Sequence, residues 1–204
     1  MARFGRIVDA MAYHHGRLRE SLVDAAVAAI EEHGVDRLSL REIARRVGVS
    51  HAAPAHHFGD RAGLFTAIAT DGFERLAAEL EAAGGDFAAA GVAYVRFATR
   101  DRGRFEVMFR PELHRPGDEA LAAAMARAGR VLGAGAAGEP GDARRNELAA
   151  WSIVHGFSTL WNAGAITAGA GDRADAEAAA RPVVEVLFAS STGDGRSAPG
   201  GRVR

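Results

Sequence analysis

The stretch LSLREIARRVGVSHAAPAHHF, residues 38–58, decides the fold. Leu40, Ile43, Ala44 and Val47 recur at three- and four-residue steps, so one face of a short helix is apolar. Ser39 stands at its start and Glu42 three residues on, the spacing of a capping box in which hydroxyl and carboxylate each take a free amide. Gly48 supplies the stop. A second short helix is expected to start at Ser50 and run through His57, with Pro54 tolerated because it falls in the first turn. Helix, tight glycine turn and short helix make a helix-turn-helix, the arrangement that puts a recognition element into the major groove of duplex DNA.

Outward from this motif every segment reads as helix. Upstream, Leu18, Leu22, Ala25, Ala26, Ala29 and Ile30 define a helical face that stops at Gly34. Residues 1–12 are expected to be a flexible arm carrying Arg3 and Arg6. Downstream, an amphipathic helix over 60–81 ends at Gly84 and Gly85, followed by helices at 86–100, 102–109, 118–136, 142–168 and 173–189. Pro111, Pro116 and the glycine-rich stretch 138–141 separate them. Pro182 is expected to kink or interrupt the last one. Residues 191–204 (STGDGRSAPGGRVR) have the composition of a disordered tail. No alternating pattern competes, so the fold class is all-α. A DNA-binding domain is expected over 13–60 and a helical effector-binding and dimerisation domain over 61–190.

Charge and composition narrow the function. The chain has 204 residues, 48% of them hydrophobic, and a net charge of -1; all 25 basic residues are arginine. Any polyanion surface must therefore be a local patch. Between 37 and 61, Arg37, Arg41, Arg45, Arg46 and Arg61 face only Glu42 and Asp60, an excess of three positive charges. Ser50, His51, His56 and His57 add hydrogen-bond donors on the second helix. There are no cysteines, which excludes disulfides and cysteine-ligated metals. The eight histidines form no H-E-x-x-H pair, and no G-x-S-x-G elbow or phosphate-binding loop is present, so no catalytic activity, cofactor or metal is expected. No stretch is apolar enough for a membrane span, and a cytoplasmic location follows as the default. A helical dimeric protein-interaction module would also suit the helices, but would leave the clustered arginines without a role.

The sequence YHHGRLRESLVDAA at 13–26, LSLREIARRVGVS at 38–50 and HHFGDRAGLF at 56–65 resembles the N-terminal domain of the tetracycline-repressor (TetR) family. The resemblance implies a three-helix DNA-binding domain on a helical effector-binding and dimerising domain. It places Ser39 and Arg41 near the DNA backbone, Ser50, His51, Ala52 and Ala53 against the bases, and His57 and Arg61 at phosphates. The family pattern carries a tyrosine after the position of Pro54; here Ala55 stands there, and His56 is a substitute donor. Arg61 keeps the charge of the lysine common at its position. The function implied is that of a homodimeric repressor, or an activator of the same fold, on a palindromic operator of double-stranded DNA, released by a small apolar effector.

A second stretch, AAWSIVHGFSTLW at 149–161, is similar to the Trp-x-x-x-His-Gly signature of a C-terminal domain in one branch of that family. Trp151, His155, Ser158 and Asn162 share a face, and Ile153, Phe157 and Leu160 line another. A helix apolar on so many sides must be covered on all of them. Packing against its own domain and a partner subunit does this, with Val183, Val184, Val186, Leu187 and Phe188 completing a four-helix seam. Phe97, Phe105, Met108, Phe109, Leu113 and His114 with Trp151 and His155 are a candidate effector pocket; a plain apolar core fits the same spacing.

Overall fold

Glycines and prolines punctuate the chain and helices fill the intervals. The structure is a computed structural model that describes residues 2–137, 142–166 and 175–189. Among these residues nine α-helices and no strand occur: α1 (Ala2–His33), α2 (Leu40–Val47), α3 (Ala53–Phe58), α4 (Arg61–Ala82), α5 (Phe87–Arg100), α6 (Arg102–Met108), α7 (Glu119–Ala137), α8 (Ala143–Asn162) and α9 (Ala176–Ala189). Short 3₁₀ turns lie at Val35–Arg37 and Pro111–Leu113. The all-α expectation is met.

Four local expectations are corrected. The segment read as an arm, 1–12, is helical from Ala2, because no proline interrupts residues 2–33 and the helix simply continues. Ser39 occupies the cap position of α2 but its hydroxyl makes no capping bond, and the Glu42 carboxylate accepts from Arg46. Helix α3 starts at Ala53 with Ala52 at its cap and Pro54 in its first turn, later than Ser50, whose carbonyl accepts the Ala53 N–H at 3.0 Å. Helix α8 stops at Asn162 rather than 168, where the Ala165 N–H bonds back to the Leu160 carbonyl at 2.9 Å. Pro182 lies inside α9 without ending it. The expected break at 138–141, the tail 191–204 and the side chains of Val186, Leu187 and Phe188 lie outside the described residues.

The contacts divide the chain into two compact units: Met1–Arg75 with Asp101–Arg127, and Leu76–Arg100 with Ala128–Arg204. In the first, Leu22, Ala26 and Ile30 of α1 are buried with Ile43 and Ala44 of α2, Phe58 of α3 and Leu64, Phe65 and Ile68 of α4. Helix α6 packs on α1. A Cβ on Gly103 would lie 2.9 Å from the Val27 carbonyl oxygen, and the Gly103 N–H donates to Glu31 at 3.0 Å. Arg104, 5% exposed, is held by Asp71 at 2.6 Å, Asp101 at 2.7 Å and Asp24. A buried guanidinium is tolerable only with such compensation.

In the second unit α5 packs against α8 and α9, and α8 against α9. Tyr94, Val95, Phe97 and Ala98 of α5 are fully buried, as are Val154 and Val184 opposite Gly91. The Asn162 amide donates to the Ala98 carbonyl at 2.9 Å. Asp86, Asp142 and Asp175 cap α5, α8 and α9 by accepting the N–H three residues on, at 3.0, 2.8 and 2.8 Å.

Candidate nucleic-acid interface

Helices α2 and α3 are joined by a turn that Gly48 makes possible: at φ 75° and ψ 32° it is left-handed, and the following Val49 N–H bonds to the Ala44 carbonyl at 3.0 Å. Pro54 and Phe58 turn inward and anchor α3. Ser50, His51, Ala52, Ala55 and His56 are left exposed, and together they form the outward surface of the turn and of α3. Ala53 and His57 are half-buried; the His57 ring lies 5.7 Å from that of His56 and 6.1 Å from that of Phe58.

The arginines sort into two groups. Arg46 is spent inside the protein, bonded to Glu32 at 2.9 and 2.7 Å and to Glu42 at 3.0 and 2.9 Å. The Arg46 bond holds the Glu32 carboxyl below the usual carboxylate range. Arg61 donates through Nη2 to the carbonyls of Val35 at 2.6 Å and Asp36 at 3.0 Å, and its guanidinium lies 5.0 Å from the Phe65 ring centroid. Arg37, Arg41 and Arg45 are exposed; among the described residues the one ion pair they make is Arg45 with Glu42 at 3.9 Å. Ser39 is exposed beside them. The cationic surface is therefore narrower than a count of arginines suggests.

Of the nine residues expected at DNA, Ser50, His51, Ala52 and His56 are exposed on the turn and on α3, and Ser39 and Arg41 are exposed at the start of α2. Ala53 and His57 are half-buried, and Arg61 is exposed while its Nη2 is bonded to the carbonyls of Val35 and Asp36. Sequence reasoning missed two arginines. Arg19 of α1 sits over the Phe58 ring at 5.5 Å, and Arg115 bonds to the Phe58 carbonyl at 2.8 Å. Each is distant from α3 along the chain, so local periodicity carries no trace of either.

Comparison with known proteins gives this surface its context. The model for bacterial regulatory proteins of the tetR family matches residues 22–68, and that for the tetracyclin repressor-like C-terminal domain matches 87–187. The chain belongs to the TetR family. This TetR-family protein is 35% identical over 65 residues to the HTH-type transcriptional repressor Rv1474c of Mycobacterium tuberculosis, covering 32% of the chain and 35% of that protein. It is 43% identical over 49 residues to the HTH-type transcriptional regulator BetI of Serratia proteamaculans, covering 24% of the chain and 25% of BetI. The matches thus span about a third or less of these relatives' lengths. A solved protein of unknown function from Rhodococcus sp. RHA1 is similar along most of its length, with a TM-score of 0.72, 34% identity, and coverage of 88% of the chain and 97% of that protein. What this TetR-family chain shares with these named regulators is the N-terminal segment that carries the helix-turn-helix.

The seven residues expected to form one effector pocket are not gathered in either unit of this TetR-family chain. Phe105, Met108, Phe109 and Leu113 belong to the first unit, where Phe109 packs edge-on to Phe105 at 5.2 Å and to Phe73 at 5.5 Å. Met108 fills the space beside Gly72. Phe97, Trp151 and His155 belong to the second. The reason is that helical spacing marks apolar faces without saying which faces meet. In the Trp-x-x-x-His-Gly stretch, His155 Nδ1 and the Tyr94 hydroxyl are 2.9 Å apart, and the Trp151 indole N–H donates to the same hydroxyl. Burial pushes the His155 pKa down and that of the Tyr94 hydroxyl up. These polar groups first satisfy one another. The second unit also holds a cavity of about 240 Å³ lined by Leu80, Phe87, Ala90, Val131 and Ala134 together with Glu81, Gly85 and Asp86; none of the seven lines it. Among the described residues no helix is long and apolar enough to cross a membrane.

Proposed function

We propose that this TetR-family regulator is a cytoplasmic repressor that binds a near-palindromic operator as a homodimer and releases it when a small apolar molecule binds. The observation that carries the reading is the exposed surface of Ser50, His51, Ala52, Ala55 and His56, flanked by the exposed Arg37, Arg41 and Arg45. Imidazole and hydroxyl groups suit base edges and phosphates, and the methyl groups of Ala52 and Ala55 suit the thymine methyl group. With alanine in place of the family's tyrosine, this face is shallow, and its polar reading falls to His51 and His56.

The dimer is supported by α8 and α9, on which Leu148, Trp151, Leu160 and Val183 are 43%, 40%, 48% and 39% exposed. A second copy covers such a face by two-fold symmetry, and a two-fold dimer of this kind reads half-sites in successive major grooves about 34–36 Å apart, or at a multiple of that spacing. The cavity in the second unit, apolar along Leu80, Phe87, Ala90, Val131 and Ala134 with Glu81 and Asp86 also in its lining, supports a small and mainly apolar effector. Such an effector releases DNA by favouring a state that binds the operator less well.

Selection of random duplex DNA on the purified protein tests the central claim. An enriched palindrome with A·T pairs in each half-site is expected; a pool without sequence preference overturns it. Arg41→Ala should weaken binding to all duplexes alike and lower the slope of log affinity against log salt by about 0.9. Arg46→Ala should leave that slope unchanged, because Glu32 and Glu42 hold its guanidinium.

A further inference from the structure

Arg115 follows the 3₁₀ turn Pro111–Leu113 and lies, by sequence, inside the stretch that matches the C-terminal family domain. By contact it belongs to the unit that contains the helix-turn-helix. Its Nη2 donates to the Phe58 carbonyl at 2.8 Å, the last residue of α3, and pairs with Asp60 Oδ1 at 3.0 Å. Asp60 in turn accepts the Gly63 N–H at 2.8 Å at the start of α4. The Gly63 N–H and then the Arg115 guanidinium hold the Asp60 carboxyl below the usual range. The Arg115 backbone N–H donates to the buried Thr66 hydroxyl at 2.8 Å, which fixes the arginine from its other end.

Two glycines make room for this contact. A Cβ on Gly59 would lie 2.6 Å from Arg115 Nη2, and one on Gly63 would lie 2.8 Å from both Cζ and Nη2 and overlap the Phe58 carbonyl oxygen. The Arg115 side chain, 44% exposed, therefore lies along a cradle at the junction of α3 and α4, and one atom of it reaches both the last residue of α3 and Asp60, the residue before α4. A carbonyl at the end of a short helix has no partner within the helix, so a charged donor there fixes where the helix ends and how it is oriented.

We propose that Arg115 is a positioning residue for operator reading: it latches the C-terminal end of the recognition helix α3 to α4 and to the 110–117 segment, without itself touching DNA. The inference rests on the operator-binding reading above. It makes the orientation of the exposed α3 surface depend on a segment far away in sequence.

The test compares the parent, Arg115→Ala, Arg115→Lys and Thr66→Val in full-length protein, measuring affinity for the selected operator and for an unrelated duplex across a salt series, with helicity and melting followed by circular dichroism. Arg115→Ala should lose about tenfold in operator affinity, keep its affinity for unrelated DNA and keep the parental salt slope. Arg115→Lys should recover part of the loss, because an ammonium keeps the charge without the planar fork. Thr66→Val frees the other anchor and should show the same pattern more weakly, and it carries the test if Arg115→Ala does not fold. Parental operator affinity in the folded variants overturns the latch. So does an equal loss on all DNA with a slope lowered by about 0.9, which would make Arg115 a phosphate ligand. A parent that binds every duplex alike overturns the operator reading and the latch with it; a parent that discriminates, beside an unaffected Arg115→Ala, overturns the latch alone.

Discussion

The helices of the helix-turn-helix and those of the second unit begin differently. Asp86, Asp142 and Asp175 each close the start of α5, α8 and α9 with a side-chain bond. At α2 and α3 the cap positions hold Ser39 and Ala52, and neither makes one. The same contrast extends to charge, since Arg96 in the second unit is paired with Glu79 at 3.0 Å whereas Arg37 and Arg41 lie exposed with no ion pair among the described residues. Where the protein satisfies its own polar groups it builds a scaffold, and where it leaves them to solvent it offers a surface for a partner.

Four substitutions would break or sharpen that comparison. The largest effect is expected from Arg104→Met, which leaves Asp71, Asp101 and Asp24 without their shared cation and should cost about 3 kcal/mol in denaturant unfolding; a loss under about 1 kcal/mol would mean the carboxylates are satisfied by water. Next, Asp142→Ala should cost about 1 kcal/mol as a working cap, whereas Ser39→Ala should stay within about 0.5 kcal/mol and instead weaken DNA binding. Equal thermal shifts in the two variants would erase the distinction between scaffold and surface. The smallest effect concerns His155. Burial disfavours its charged form and holds its pKa below 6.5, so the unfolded chain takes up the proton first as pH falls. Its contribution is complete above pH 6.5 and is lost as pH falls toward the folded pKa. Urea titrations at a series of pH values should find this dependence in the parent and a flatter one in His155→Gln.

Much of the fold was legible along the chain. The periodicity of Leu18 to Ile30 and of Leu40 to Val47, with Gly34 and Gly48 as stops, located α1 and α2 because those signals are local. The start of α3 was less so, since Ser50 is as good a cap by type as Ala52 is a poor one, and Pro54 fits either choice. The candidate site was half legible. Five arginines stood out between 37 and 61, yet which of them point outward depended on Glu32, fourteen residues before Arg46, and on the carbonyls of Val35 and Asp36 beneath Arg61. The effector residues illustrate the same limit, because Phe97 and Phe105 carry the same apolar signal and fall in different units.

By itself the sequence determined the helical class, the helix-turn-helix and the family, because each is written in residue types at short, fixed spacings. Only the tertiary structure decided which cations are spent, that Trp151 and His155 serve the Tyr94 hydroxyl, and that Arg115 belongs with the recognition helix. These depend on which helix faces meet, and the energy of such a contact resides in pairs of residues far apart in the chain, where no local pattern records it.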